Sequence, residues 1–187
     1  FIIWARPPHA IVIDPGADSD EIIRRLKDKG LTPTIYLLTH GHCDHTTAIA
    51  DVCRIMPAPV AAHSDDLKWL FNESNQMPPF YQSPKRPAQE ILSLKDMDER
   101  CDAGMKYRVI HTPGHTPGSV CFHFYEDNTI FTGDTLFEGS VGRTDLPGGN
   151  PRQMRSSLAK IAKLADTTDI YPGHGAGSDI LTEKKTN

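Results

Sequence analysis

No stretch of this 187-residue chain approaches the roughly 20 consecutive apolar residues that a membrane span needs, so no membrane segment is expected. Lysine and arginine never gather into a block, and the net charge is −4. Nucleic acid as an obligate partner is therefore not expected, since it leaves a basic footprint. There is no Cys-x-x-Cys pair: Cys43, Cys53, Cys101 and Cys121 are scattered. That argues against a thiolate zinc knuckle and for free buried thiols in a reducing cytoplasm. No charged segment leads into an apolar stretch with a small-residue cleavage site, so no secretory signal is visible. The chain opens inside an apolar run, Phe1-Ile2-Ile3-Trp4, and its natural start is expected to lie upstream. Repeats and low-complexity tracts are absent as well. What is present is a globular composition, 38% hydrophobic and 24% charged. The length suits one domain over 1–187, long enough to bury about two-thirds of its unfolded surface.

Along the chain, short apolar runs alternate with helical periodicity. Residues 1–16 read as two strands broken at Arg6-Pro7-Pro8, the second being Ala10 to Ile13 before Asp14-Pro15-Gly16. Ile22, Ile23 and Leu26 predict a helix over 18–30 that stops at Gly30. Thr34 to Thr39 suits a strand buried on both faces. Thr46 to Met56 reads as a helix stopped by Pro57, and Pro59 to Ala62 as another strand. Residues 64–95 break the rhythm with a short helix around Leu67, Leu70 and Phe71. Four prolines follow between Met77 and Pro87, so the segment is expected to be an insertion over a cleft. Strands are expected at 106–111, 119–125, 128–131 and 169–171. Asn150-Pro151 opens a helix whose stripe is Met154, Leu158, Ile161 and Leu164. This alternation predicts an α/β fold with a largely buried sheet.

The chemistry-bearing segment is Thr39-His40-Gly41-His42-Cys43-Asp44-His45, directly after a buried strand. Residues two apart point the same way from an extended backbone, so His40 and His42 can share one ion. Asp44 and His45 fall where the chain turns into a helix and can face a second. Gly41 lets backbone approach closely. Imidazoles and carboxylates without thiolates suit zinc, iron or manganese. One loop cannot complete two coordination spheres. His115, Asp134 and His174 are the candidates to finish them, each beside turn residues at the end of a strand. A carboxylate such as Asp134 can bridge two cations.

The His-x-His-x-Asp-His run, Pro-Gly-His115-Thr, Gly-Asp134-Thr and Pro-Gly-His174-Gly resemble the metallo-β-lactamase superfamily in order and spacing from Asp14 to His174. The resemblance implies a four-layer αβ/βα sandwich with metals at its open edge. It implies His40, His42 and His115 on one metal, Asp44, His45 and His174 on the other, and Asp134 bridging. It also implies that Asp14 supports the metal loop from behind. His111 is expected to back the ligands likewise or to be a satisfied core histidine. Phe131 to Phe137 and Gly142-Arg143-Thr144-Asp145 are most similar to short glyoxalase II-like thioester hydrolases. β-Lactamases of the common zinc type carry Cys in place of Asp134, and flavodiiron proteins carry Glu in place of His42.

The expected reaction is thioester hydrolysis by a hydroxide bridging two divalent metals, zinc foremost and iron or manganese as alternatives. The expected substrate is a small thioester, with glutathione as one thiol. Asp44 and Asp134 are the expected catalytic carboxylates. Arg143 is the candidate contact for a substrate carboxylate, the alternative being an arginine that ties the loop to Asp145. Only 13 residues follow His174, so the helical substrate domain of longer glyoxalase II enzymes is expected to be replaced, with the 64–90 segment as the substitute. A persulfide dioxygenase using one iron on His40, His115 and Asp134 is the second enzyme reading, and lactone or phosphodiester hydrolysis the third. A non-catalytic binding module is disfavoured, because all seven ligand positions are filled.

Overall fold

The computed structural model describes all residues from Phe1 to Asn187. Two compact units divide the chain, Phe1–Leu94 with Cys101–Met105, and Lys95–Arg100 with Lys106–Asn187.

The first unit alternates strand and helix as the sequence predicts. Its elements are β1 (Ile2–Ile3), β2 (His9–Ile13), α1 (Ser19–Asp28), β3 (Thr32–Leu37), α2 (Cys43–Thr46), α3 (Ile49–Ile55), β4 (Val60–His63), α4 (Ser64–Leu67) and β5 (Ile91–Leu94). The sheet runs β1-β2-β3-β4-β5; β1 is antiparallel to β2 and every other pair is parallel. Parallel neighbours need crossovers: α1 joins β2 to β3, α2 and α3 lie between β3 and β4, and residues 64–90 with α4 join β4 to β5. Ala10, Val12, Tyr36 and Leu38 alternate toward Leu26, Ile49, Val52 and Cys53, forming one core. The intervening Ile11, Ile13, Ile35 and Leu37 are fully buried too, which explains why these strands read as continuous apolar runs.

The predicted helix over 46–56 is two helices, α2 and α3. Its break has a physical cause: the Ala48 N–H leaves the helical ladder and donates to the Pro15 carbonyl at 3.1 Å. The 64–95 segment holds α4, a run of turns with a bridge between Met77 and Tyr81, and then β5, which the sequence reading did not anticipate.

The second sheet runs β13-β12-β9-β8-β7-β6. It is built from β6 (Glu99–Asp102), β7 (Met105–His111), β8 (Val120–Phe124), β9 (Thr129–Gly133), β12 (Asp169–Pro172) and β13 (Ser178–Asp179). A separate hairpin pairs β10 (Leu136–Phe137) with β11 (Ser140–Val141). β9 and β12 are parallel, while β7–β8, β8–β9 and β12–β13 are antiparallel. Ile110, Cys121, Ile130, Ile170 and Leu136 pack with Ile161 of α5 (Pro151–Ile161) and Ile180 of α6 (Ile180–Thr186). Asn150 caps α5, its Oδ1 accepting from Arg152 N at 3.0 Å and Gln153 N at 3.2 Å, with Pro151 in the first turn. The expected stripe of α5 packs inward: Met154 and Ile161 are buried, and Leu158 and Leu164 lie partly buried against the core that Ile161 joins. Ser157 is buried as well, its hydroxyl donating to the Pro113 carbonyl at 2.7 Å.

Candidate metal centre

In the first unit the site begins where β2 and β3 end side by side. Parallel strands bring their carboxyl ends to one edge, the usual place for ligands in such sheets. Asp14 N–H donates to the Leu37 carbonyl at 2.9 Å, and Asp14 then turns into the left-handed region with φ of 49°. Its carboxylate organises the loop that follows β3. Oδ1 accepts from Thr39 N at 2.7 Å; Oδ2 accepts from Thr39 Oγ1 at 2.6 Å and from His45 Nδ1 at 2.9 Å.

These contacts fix which nitrogen each imidazole offers. A carboxylate can only accept, so His45 Nδ1 carries the proton and Nε2 keeps its lone pair. The Thr39 hydroxyl spends its proton on Asp14. It therefore accepts from His40 Nδ1 at 3.1 Å, and His40 also presents Nε2 as a lone pair. His40 and His45 are nearly buried, with ring centroids 4.2 Å apart; the His42 ring lies 4.9 Å from His40. His42 is the extended residue that precedes α2, and Asp44 lies in that helix's first turn, its Oδ2 3.8 Å from His45 Nε2. Cys43 is buried, and burial, with Asp44 adding to it, pushes its thiol up. The first unit thus gathers His40, His42, Asp44 and His45, with Asp14 behind them.

The second unit repeats the edge device. β9 and β12 are parallel neighbours, and Asp134 and His174 follow their ends, tied by Gly173 N–H to the Gly133 carbonyl at 2.8 Å. His115 sits in the loop between β7 and β8. Its Nδ1 lies 2.8 Å from the Arg143 carbonyl, which can only accept, so Nε2 again keeps the lone pair. That Nε2 is 3.5 Å from Asp134 Oδ2, and His174 Nε2 is 3.8 Å from the same oxygen. One carboxylate oxygen therefore faces two imidazoles. His115 is 3% exposed at its side chain and His174 55%, so this set runs from the interior out to solvent.

His111 anchors the base of the His115 loop, its Nε2 donating to the Pro117 carbonyl at 2.9 Å. The Arg143 guanidinium is exposed and forms a two-pronged pair with Asp145 at 2.8 and 2.7 Å. That is the loop-tying arrangement set out as the alternative to substrate contact, while the Arg143 backbone serves His115. Three residues near the early histidines escaped sequence reasoning. Asp66, Trp69 and Asn75 all lie against Gly41. The available signal was Asp66 four residues before Leu70: both fall on the buried face of that turn, where a carboxylate is costly without partners.

The model of the metallo-beta-lactamase superfamily matches residues 1–174. A probable metallo-hydrolase, YqgX of Bacillus subtilis, is 35% identical, the match spanning 95% of this chain and 85% of the relative. Hydroxyacylglutathione hydrolase GloC of Haemophilus influenzae is 32% identical over 100% of this chain and 89% of its own. Among solved structures, the BLEG-1 B3 metallo-beta-lactamase superposes with a TM-score of 0.90 at 33% identity, covering 98% of this chain and 90% of that one. TTHA1623 in a di-iron-bound form gives 0.86 at 33% identity, covering 100% and 98%. With its α/β architecture and metallo-hydrolase relatives, the chain belongs to the metallo-beta-lactamase superfamily and has that fold.

Proposed function

We propose that this chain is a two-metal thioester hydrolase of the glyoxalase II type, with ligands from His40, His42, Asp44, His45, His115, Asp134 and His174. One observation carries the reading. Asp134 Oδ2 faces the Nε2 atoms of both His115 and His174, the placement a bridging carboxylate requires. The donor chemistry fits: His40, His45 and His115 each have Nδ1 engaged and Nε2 available, with no thiolate in either set. Zinc is the proposed metal; iron and manganese use the same donors, and the similar TTHA1623 has a di-iron-bound form.

Bound there, two divalent cations supply Lewis acidity to a thioester carbonyl and bring the pKa of water from about 16 toward about 7. The remaining work falls to the chain. Asp14 and Thr39 hold two ligand rings in one tautomer. Asp44 accepts a hydrogen bond from the attacking water. A thiolate leaves readily, so no general acid is assigned. Arg143 is the proposed contact for a carboxylate of the thiol moiety, with the substrate displacing Asp145. The likeness to GloC supports a glutathione thioester as the substrate.

The test is metal analysis of the purified protein, together with assays on S-lactoylglutathione and a β-lactam. Two metals per chain with thioester turnover, both reduced in Asp134→Asn, support the proposal. One iron with oxygen consumption on a persulfide, or turnover of the β-lactam alone, ends it.

A further inference from the structure

We infer that residues 66–75 form a clamp that sets the spacing of His40 and His42 by gripping both peptide groups of Gly41, with Asp66 and Asn75 as positioning residues. This rests on the metal reading above.

Only two peptide groups separate the two histidines. The first carries the Gly41 N–H, which donates to Asp66 Oδ2 at 2.8 Å. The second carries the Gly41 carbonyl, which accepts from Asn75 Nδ2 at 2.7 Å. Asn75 also donates to the Leu70 carbonyl at 2.7 Å, so its amide is fixed by the same segment that it ties down. Trp69 closes the third side. A Cβ on residue 41 would lie 3.0 Å from two indole carbons and 3.3 Å from Asp66 Cβ, and the indole ring is 5.5 Å from the His42 ring.

Asp66 is fully buried and Asn75 nearly so. Burying a carboxylate is expensive, and a bond from a backbone N–H to an ionised acceptor is among the stronger compensations. A turn-rich segment with no metal role could bury a leucine at position 66 at lower cost. What the carboxylate adds is a fixed orientation for the peptide joining His40 to Gly41. Rotation of either peptide would swing one imidazole away from the other, so the clamp converts a flexible His-Gly-His run into a rigid two-nitrogen donor. Segment 64–95 thereby acts on the metal loop from behind, a role distinct from covering substrate.

The test measures zinc affinity by competition with a chromogenic chelator, and the visible spectrum of the Co(II)-loaded protein. Asp66→Ala and Asn75→Ala are expected to weaken metal binding by about 10- to 100-fold, the range found when supports of metal ligands are removed, and to shift the cobalt spectrum. Asp66→Asn retains an acceptor for Gly41 N–H and is expected to recover affinity to within a few-fold of wild type. Ile170→Ala, which opens the core of the second unit, is the control for general destabilisation. If Asp66→Ala does not fold, Asn75→Ala carries the test with the carboxylate still in place. Wild-type affinity and spectrum in folded Asn75→Ala, or an equal loss in Ile170→Ala, overturn the inference. Wild-type protein that binds metal yet hydrolyses no thioester retires the substrate proposal and leaves the clamp standing; wild-type protein that binds no metal overturns both.

Discussion

Replacing Asp14 by Asn separates the job of holding the fold from the job of readying a ligand. Asn accepts the left-handed φ of 49° at this position as readily as Asp does. Its amide oxygen must take the place of Oδ1, because the Thr39 backbone N–H there can only donate. The amide NH2 then stands where Oδ2 now receives Thr39 Oγ1 and His45 Nδ1. The Thr39 hydroxyl can reverse and accept. His45 can accept only if its proton moves to Nε2, which removes the lone pair a metal needs. Every hydrogen bond survives in the metal-free protein, so its melting temperature should hold close to wild type. Metal affinity should fall by about 10- to 100-fold, equivalent to about 1.4–2.7 kcal/mol. At free zinc about 1,000 times the wild-type Kd, bound metal stabilises wild type by about 4.1 kcal/mol. The same zinc should stabilise the variant by that much less, narrowing the gap between metal-loaded and metal-free melting temperatures by about 3–11 °C in a chain of this size. Calorimetry with and without zinc reads both quantities. An unchanged gap, or a metal-free protein that melts much earlier, would refute the tautomer argument.

Gly16→Ala should damage the metal loop from outside it, since a Cβ there would sit 1.8 Å from the Asp44 carbonyl oxygen. Backbone must move, and chelator competition should show weaker binding alongside a lower melting temperature. Cys101 is exposed while Cys43, Cys53 and Cys121 are buried, with burial pushing Cys53 up to about 12 and Cys121 to about 11. A disulfide reagent at pH 8 should therefore titrate one fast thiol per native chain and four after denaturation; two or more fast thiols would contradict the packing. The Arg143 guanidinium holds the Asp145 carboxyl at about 2. A depressed pKa means the pair is present above the ordinary carboxylate value of 3.8 and is lost as pH falls through about 2. Arg143→Ala should return the Asp145 titration, followed by carboxyl carbon NMR, toward that ordinary value.

The α/β alternation of the first unit was legible because buried parallel strands leave unbroken apolar runs such as Ile35 to Leu38, and because α1 shows its stripe at Ile23 and Leu26. The candidate ligand histidines stood out because dense polar groups straight after such a run demand a common partner. Other features were hidden for identifiable reasons. β5 has only the four residues Ile91–Leu94, and its identity as a strand depends on pairing with β4, a contact remote in sequence. The split between α2 and α3 depends on one bond from Ala48 to Pro15, which periodicity cannot report. Asp66 and Asn75 act through the backbone of a glycine, and a hydrogen bond to a peptide group leaves no pattern in side-chain types.

The two units solve one problem with one device. In each, a pair of parallel strands ends side by side, β2 with β3 and β9 with β12, and a carboxylate follows the first strand of the pair. Asp14 follows β2 and Asp134 follows β9, and each carboxylate has a histidine nitrogen within reach from the segment after its partner strand. Their tasks differ because of what else they contact. Asp14 has one oxygen taken by a backbone N–H and the other by Thr39 and His45, so it is spent on orientation. Asp134 directs one oxygen at the Nε2 atoms of two imidazoles, with a side chain 12% exposed, which suits the ligand role proposed for it. Sequence alone marks both as acids after strands. Only the donors around each distinguish the support from the proposed ligand.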